Sequence, residues 1–180
     1  PGCGYGGSCF PKDVKALAHT AREYGYTMQV IEAVERVNEE QKEVVFEKLK
    51  AALGDLRGKV ITIWGLAFKP ETDDMREAPA TVVISRLLDA GAEVRAYDPV
   101  AMPECRRRME GKPVHYAQTM YEAAEGADAI ALLTEWKELR MPDWPQLHAM
   151  MRDNVIVDGR NIFDKQEVTA AGFRYSGIGK

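Results

Sequence analysis

From residue 60 onward, short apolar runs alternate with stretches whose apolar residues recur at helical spacing. No other feature limits the fold as tightly. Strand-like runs separated by helical stretches are βα units, which build a parallel sheet covered by helices. Strands are expected at Val60–Trp64, Glu93–Tyr97, Val114–Tyr116, Ala129–Leu133, Asn154–Val157 and Phe173–Ser176. Helices fit between them at Pro79–Ala90, Pro103–Met109, Met120–Glu125, Asp143–Met151 and Lys165–Ala171. Right-handed crossovers make this a doubly wound, Rossmann-like α/β sheet.

The amino-terminal third is different in kind. A helix is expected from Pro11 to Tyr24, ending at Gly25, a usual residue just past a helix end. A longer one follows from Met28 to Leu53, with Val30, Ile31, Val34, Val37, Val44, Val45, Leu49 and Leu53 near one side. At ~1.5 Å per residue it is about 39 Å long, more than a small domain needs internally. Such a helix links two domains, packs against a copy of itself, or is an ordinary amphipathic helix of its own domain. The turn-rich Gly54–Lys59 break is the best boundary, giving a helical region over residues 1–54 and a sheet domain over 55–180.

Composition enters mainly as exclusion. A net charge of -4 with scattered Lys and Arg gives no reason to expect nucleic acid as a partner. No apolar run approaches membrane-spanning length, so no membrane partner is expected. Three cysteines without a CxxC spacing argue against a disulfide framework and against a metal site, and fit a reducing cytoplasm. The chain opens without Met inside a glycine-rich loop, which suggests the downstream part of something longer.

That loop carries the chemistry. Gly2, Gly4, Gly6 and Gly7 permit positive φ and close approach of a ligand to the backbone. Pro11 suits the first turn of the helix that follows, which puts Cys9 at a helix N-terminus with Lys12 and Asp13 close to the same face. A free thiol is only a few per cent ionised at neutral pH. A helix dipole adds only ~0.3–1 kcal/mol, so Lys12 is the expected second contribution to a Cys9 thiolate. Asp13 opposes that shift and suits the handling of water or a proton. On these residues alone a small buried Cys capping a helix stays open, as does a redox bridge between Cys3 and Cys9.

The second informative stretch is Gly65–Ala78, which follows the first strand and is longer than the ~2–6 residues of a structural βα connection. It lacks the GxGxxG that grips a dinucleotide pyrophosphate. It offers instead an aromatic beside a cation, Phe68-Lys69, suited to a base or ribose plus a phosphate. Asp98-Pro99, after the second strand, is read as a turn signal.

The segment Gly4-Tyr5-Gly6-Gly7-Ser8-Cys9-Phe10-Pro11-Lys12-Asp13 resembles the active-site segment of the nucleotide-sugar 6-dehydrogenases, the UDP-glucose/GDP-mannose dehydrogenase family. The resemblance continues through Ile31–Asn38, through Gly65-Leu66-Ala67-Phe68-Lys69-Pro70 to Arg76-Glu77-Ala78-Pro79, and to Asp158-Gly159-Arg160-Asn161. It covers the whole chain in the family's order and leans towards the members acting on UDP-glucose. GDP-mannose is the alternative substrate, and a stand-alone nucleotide-sugar-binding dimerisation module with Cys9 idle is the alternative of another class.

The resemblance implies oxidation of UDP-glucose to UDP-glucuronate with two molecules of NAD, through a thiohemiacetal and then a thioester on Cys9. Asp13 would assist hydrolysis. Gly6 would meet the sugar, Phe68 and Lys69 would hold the UDP portion, and Arg160 would reach the phosphates. Lys12 and Arg76 would face the NAD. The resemblance also implies that the long helix forms a homodimer core. It implies that an amino-terminal NAD-binding domain is missing here, which would leave this fragment inactive alone. Cys3 stands where the family pattern has Pro or an aliphatic residue.

Overall fold

The computed structural model describes residues 2–179. Two helices come first, α1 (Phe10–Glu23) and α2 (Gln29–Leu53). Then follow β1 (Val60–Trp64), α3 (Pro79–Asp89), β2 (Glu93–Tyr97), α4 (Met102–Arg108), β3 (Val114–Tyr116) and α5 (Met120–Ala124). The chain closes with β4 (Ala129–Leu132), a 3-10 turn at Lys137–Leu139, α6 (Trp144–Met150), β5 (Val155–Asp158), α7 (Lys165–Ala170) and β6 (Arg174–Gly177). The six strands are all parallel in the order β3-β2-β1-β4-β5-β6, the doubly wound arrangement expected from the alternation. β5 and β6 each begin and end one residue later than the apolar runs suggest, and the 3-10 turn carries no sequence signal strong enough to separate it from loop.

Strand alternation divides the core in two. Ile61, Ile63, Val94, Ala96, Ala129, Ala131, Val155 and Val157 face one layer with Val83, Leu87 and Cys105 of α3 and α4. Val60, Trp64, Ile130, Leu132 and Ile156 face the other with Ala124, Trp144, Leu147 and Val168 of α5, α6 and α7. This winding leaves the first face uncovered over β4 and β5, since their own crossovers lie opposite. Val45 and Leu49 of α2 fill that gap and are wholly buried in the same core. The carboxyl half of the long helix is thus a structural part of the sheet layer. Its amino-terminal half leaves Val30, Val34 and Val37 exposed, as are Phe10 and Leu17 of α1. Among the described residues no helix is long and apolar enough to cross a membrane.

Candidate active site

In an open parallel sheet the crevice for a ligand lies beyond the strand ends where the winding reverses, here between β1 and β4. The chain leaves β1 through Gly65 at φ 87°, donating its N–H to the Tyr97 carbonyl. Leu66 and Ala67 N–H then donate to the wholly buried Asp98 carboxylate at 2.7 and 3.2 Å. The same carboxylate accepts from Val100 N–H, Ala101 N–H and the Trp136 indole. The turn read from Asp98-Pro99 is therefore present, but the anchoring of the β1 loop by that carboxylate escaped the sequence reading. The signal for it was an acid at the carboxyl end of a buried strand beside a long loop whose N–H groups needed partners.

Further along, Phe68 N–H bonds the Asp74 carbonyl and closes the loop on itself, while Asp74 takes Arg76 in a two-pronged ion pair. The Arg76 guanidinium holds the Asp74 carboxyl below its usual range. Lys69 stays exposed, its Nζ 5.3 Å from the centre of the Phe68 ring.

The glycine-rich turn docks directly on this loop. Gly7 N–H donates to the Arg76 carbonyl at 2.7 Å. A Cβ built on Gly6 would lie 2.5 Å from the Glu77 carbonyl oxygen, and one on Gly7 would lie 2.9 Å from the Phe68 ring. On their Cβ sides these glycines are approached by the protein's own loop. From the other side α2 grips the turn: Asn38 pairs with both backbone groups of Tyr5, and Gln41 donates to the Gly2 carbonyl.

Cys9 sits at the N-cap of α1, exposed, with the Ser8 hydroxyl 3.7 Å from its sulfur. Lys12 and Asp13 form an exposed ion pair at 3.3 Å on the first turn. Lys12, Lys15, Arg76 and Arg108 line a depression of about 540 Å³ together with Glu77, Gly7 and Pro11. Asp74 foremost, and the Cys9 sulfur to a lesser degree, raise Arg76 above its ordinary value. The structure thus brings Gly6, Cys9, Lys12, Asp13, Phe68 and Arg76 into one region.

Arg160 is placed differently. Its Nε donates to the Leu133 carbonyl at 2.7 Å and another of its nitrogens to the Phe68 carbonyl at 3.1 Å. Glu135 Oε2 lies 3.2 Å from that Nε without hydrogen-bond alignment and is buried. These contacts make Arg160 a tie between the end of β4 and the β1 loop. Cys3 is wholly buried, with its sulfur 3.2 Å from a Cβ built on Gly159, and burial pushes its thiol up. All three cysteines are free, so the Cys3–Cys9 bridge is not formed.

Glu77, the last acid of the loop, joins Lys15 of α1 at 2.7 Å and Lys42 of α2 at 3.1 Å. Lys15 first, then Lys42, hold its carboxyl below the ordinary range. A folded-state pKa that is lowered stabilises above the unfolded value, and the gain is lost as pH falls through the folded one. The stability gap between wild type and Glu77→Gln is therefore expected to be full above about pH 5 and to shrink below about pH 4. Urea titrations of both chains check this, and a gap unchanged down to about pH 3 would show that the ion pairs do not stabilise the fold.

Residues 62–165 match the model of the "UDP-glucose/GDP-mannose dehydrogenase family, UDP binding domain", and residues 1–40 match that of the same family's central domain. The chain belongs to the UDP-glucose/GDP-mannose dehydrogenase family. It is 47% identical over 184 residues to the UDP-glucose 6-dehydrogenase of Pseudomonas aeruginosa, covering 99% of this chain and 41% of that one. Against UDP-glucose 6-dehydrogenase TuaD of Bacillus subtilis the identity is 43% over 179 residues, covering 99% of this chain and 39% of the relative. The solved UDP-glucose dehydrogenase of Pyrobaculum islandicum superposes with a TM-score of 0.85 at 35% identity, covering 98% of this chain and 38% of that one. The chain thus spans about two-fifths of the length of these dehydrogenases. It represents the part of the family fold that carries the Cys9 turn and the UDP binding domain.

Proposed function

We propose that this chain is the central and nucleotide-sugar-binding portion of an NAD-dependent UDP-glucose 6-dehydrogenase, with residues 1–54 as the helical region and 55–180 as the UDP-sugar domain. The observation that carries the reading is the docking of the Cys9 turn on the Phe68-Lys69 loop through Gly6 and Gly7. The turn that ends in the exposed Cys9 packs its glycines on Phe68, whose ring has Lys69 beside it, and this supports reading the pair as a nucleotide contact near the thiol. Phe68 would stack on the base or ribose and Lys69 would meet a phosphate.

NAD, when bound, would supply the hydride acceptor, one molecule for each of the two successive oxidations. The Lys12–Arg76 depression suits one edge of an anionic dinucleotide, whereas the loop after β1 lacks the glycine fingerprint for its pyrophosphate. A separate NAD-binding domain would therefore provide the main grip, and this chain alone would give no sustained NADH. Within the chain, the Cys9 sulfur would add to the aldehyde carbon left by the first oxidation. The thiohemiacetal would then become a thioester as its carbon gives up a hydride and its hydroxyl proton passes to solvent. Asp13 would accept a proton from the water that attacks it, releasing the carboxylate and the thiol.

The exposed Phe10, Leu17, Val30, Val34 and Val37 support a homodimer through α2. Three free thiols fit a reducing cytoplasm.

Calorimetric titration with UDP-glucose, UDP and GDP-mannose tests the substrate class. UDP and UDP-glucose are expected to bind at least about tenfold more tightly than GDP-mannose, and Lys69→Ala to weaken both uridine nucleotides about tenfold through one lost charge-assisted contact. Equal or tighter binding of GDP-mannose would overturn the assignment.

A further inference from the structure

Lys42 carries its charge on a side chain that is only 2% exposed. A buried cation costs several kcal/mol unless it is paired. One partner, Glu39, lies on the same helix and is largely exposed; the other, Glu77, reaches in from the β1 loop. Glu77 holds a left-handed backbone, φ 54°, which is unfavourable for a residue other than Gly. That conformation does two things together. It presses the Glu77 carbonyl against Gly6, and it leaves the carboxylate between Lys15 of α1 and Lys42 of α2. The preceding residue, Arg76, accepts the Gly7 N–H and is tied through Asp74 to Phe68.

We propose that Glu77 is a positioning residue that couples occupancy of the nucleotide site at Phe68 and Lys69 to the setting of the Cys9 turn, through its ion pairs with Lys15 and Lys42. The inference rests on the nucleotide reading of that loop given above. Three elements meet at this side chain: the loop offered to the nucleotide, the helix bearing Cys9, and the long helix that clamps the glycine turn. Shifting the loop shifts the carbonyl against Gly6, and the two ion pairs carry the shift into α1 and α2. Lys42 cannot let go freely, because it would remain buried with only Glu39.

Cys3 and Cys105 are buried, so alkylation of this chain by iodoacetamide reports on Cys9. In the wild-type chain, saturating UDP is expected to change the Cys9 alkylation rate by about threefold or more. Glu77→Gln is expected to bind UDP within about threefold of wild type while losing that change. Lys15→Met, an exposed substitution that spares the Lys42 pair, is expected to reduce it, and Lys15→Arg to preserve it. If Glu77→Gln fails to fold, as judged by circular dichroism, the Lys15 pair of variants decides. Failure of UDP to bind the wild-type chain would overturn the nucleotide reading and this inference with it. UDP that binds without changing the rate would overturn the inference alone. So would a change that persists undiminished in Lys15→Met or Glu77→Gln.

Discussion

Cys9→Ser, placed in an enzyme that joins this chain to an NAD-binding domain, is expected to lower formation of the acid by about three orders of magnitude or more. Sulfur adds to an aldehyde carbon far more readily than a seryl hydroxyl does. The first oxidation needs no nucleophile on the protein, so it should survive. The expected signature is one equivalent of NADH per aldehyde formed, with little acid by chromatography. Unchanged turnover to the acid would remove Cys9 from the mechanism. The exposed position of Cys9 at the α1 N-cap, flanked by Ser8, is what makes the experiment informative. A substitution there disturbs little packing, so lost activity reports chemistry.

Gly65→Ala is expected to destabilise the fold by about 2–5 kcal/mol, a large fraction of a domain's ordinary stability. The left-handed backbone at φ 87° costs Ala ~1–2 kcal/mol. The added Cβ would clash with Thr134 Cβ and stand 2.6 Å from Thr134 N, and overpacking of that kind costs about 1–3 kcal/mol. A rotamer change at Thr134 cannot relieve a clash with its backbone nitrogen. Gly126→Ala is the control, since Gly126 also has positive φ, 65°, but nothing within 4 Å of a built Cβ. It should lose only the ~1–2 kcal/mol of the backbone conformation. Equal urea midpoints for the two variants would show that the β1–β4 crevice yields where the packing says it cannot.

The two glycines differ in a way no local pattern records. Both are punctuation in the sequence, yet only Gly65 lies against another strand end. Asp98 teaches the same lesson: it was legible as a turn former through Val100 and Ala101, whereas its hold on Leu66 spans 32 residues. Arg160 was legible as a cation at the end of β5. That it donates to the Phe68 carbonyl, 92 residues away, was not. For Gly6, the need for close approach was readable, and the Glu77 carbonyl that a Cβ there would strike was not.

What the amino-acid sequence determined by itself was the element order, the parallel winding and the position of Cys9 at a helix start, because periodicity, turn residues and strand alternation are short-range properties. Tertiary structure alone decided that the carboxyl half of α2 completes the sheet's first face, that the glycine turn rests on the β1 loop, and that Glu77 joins three elements. Each of these depends on side chains meeting across long stretches of chain. Such meetings follow from how the layers stack and leave no repeat or spacing to read.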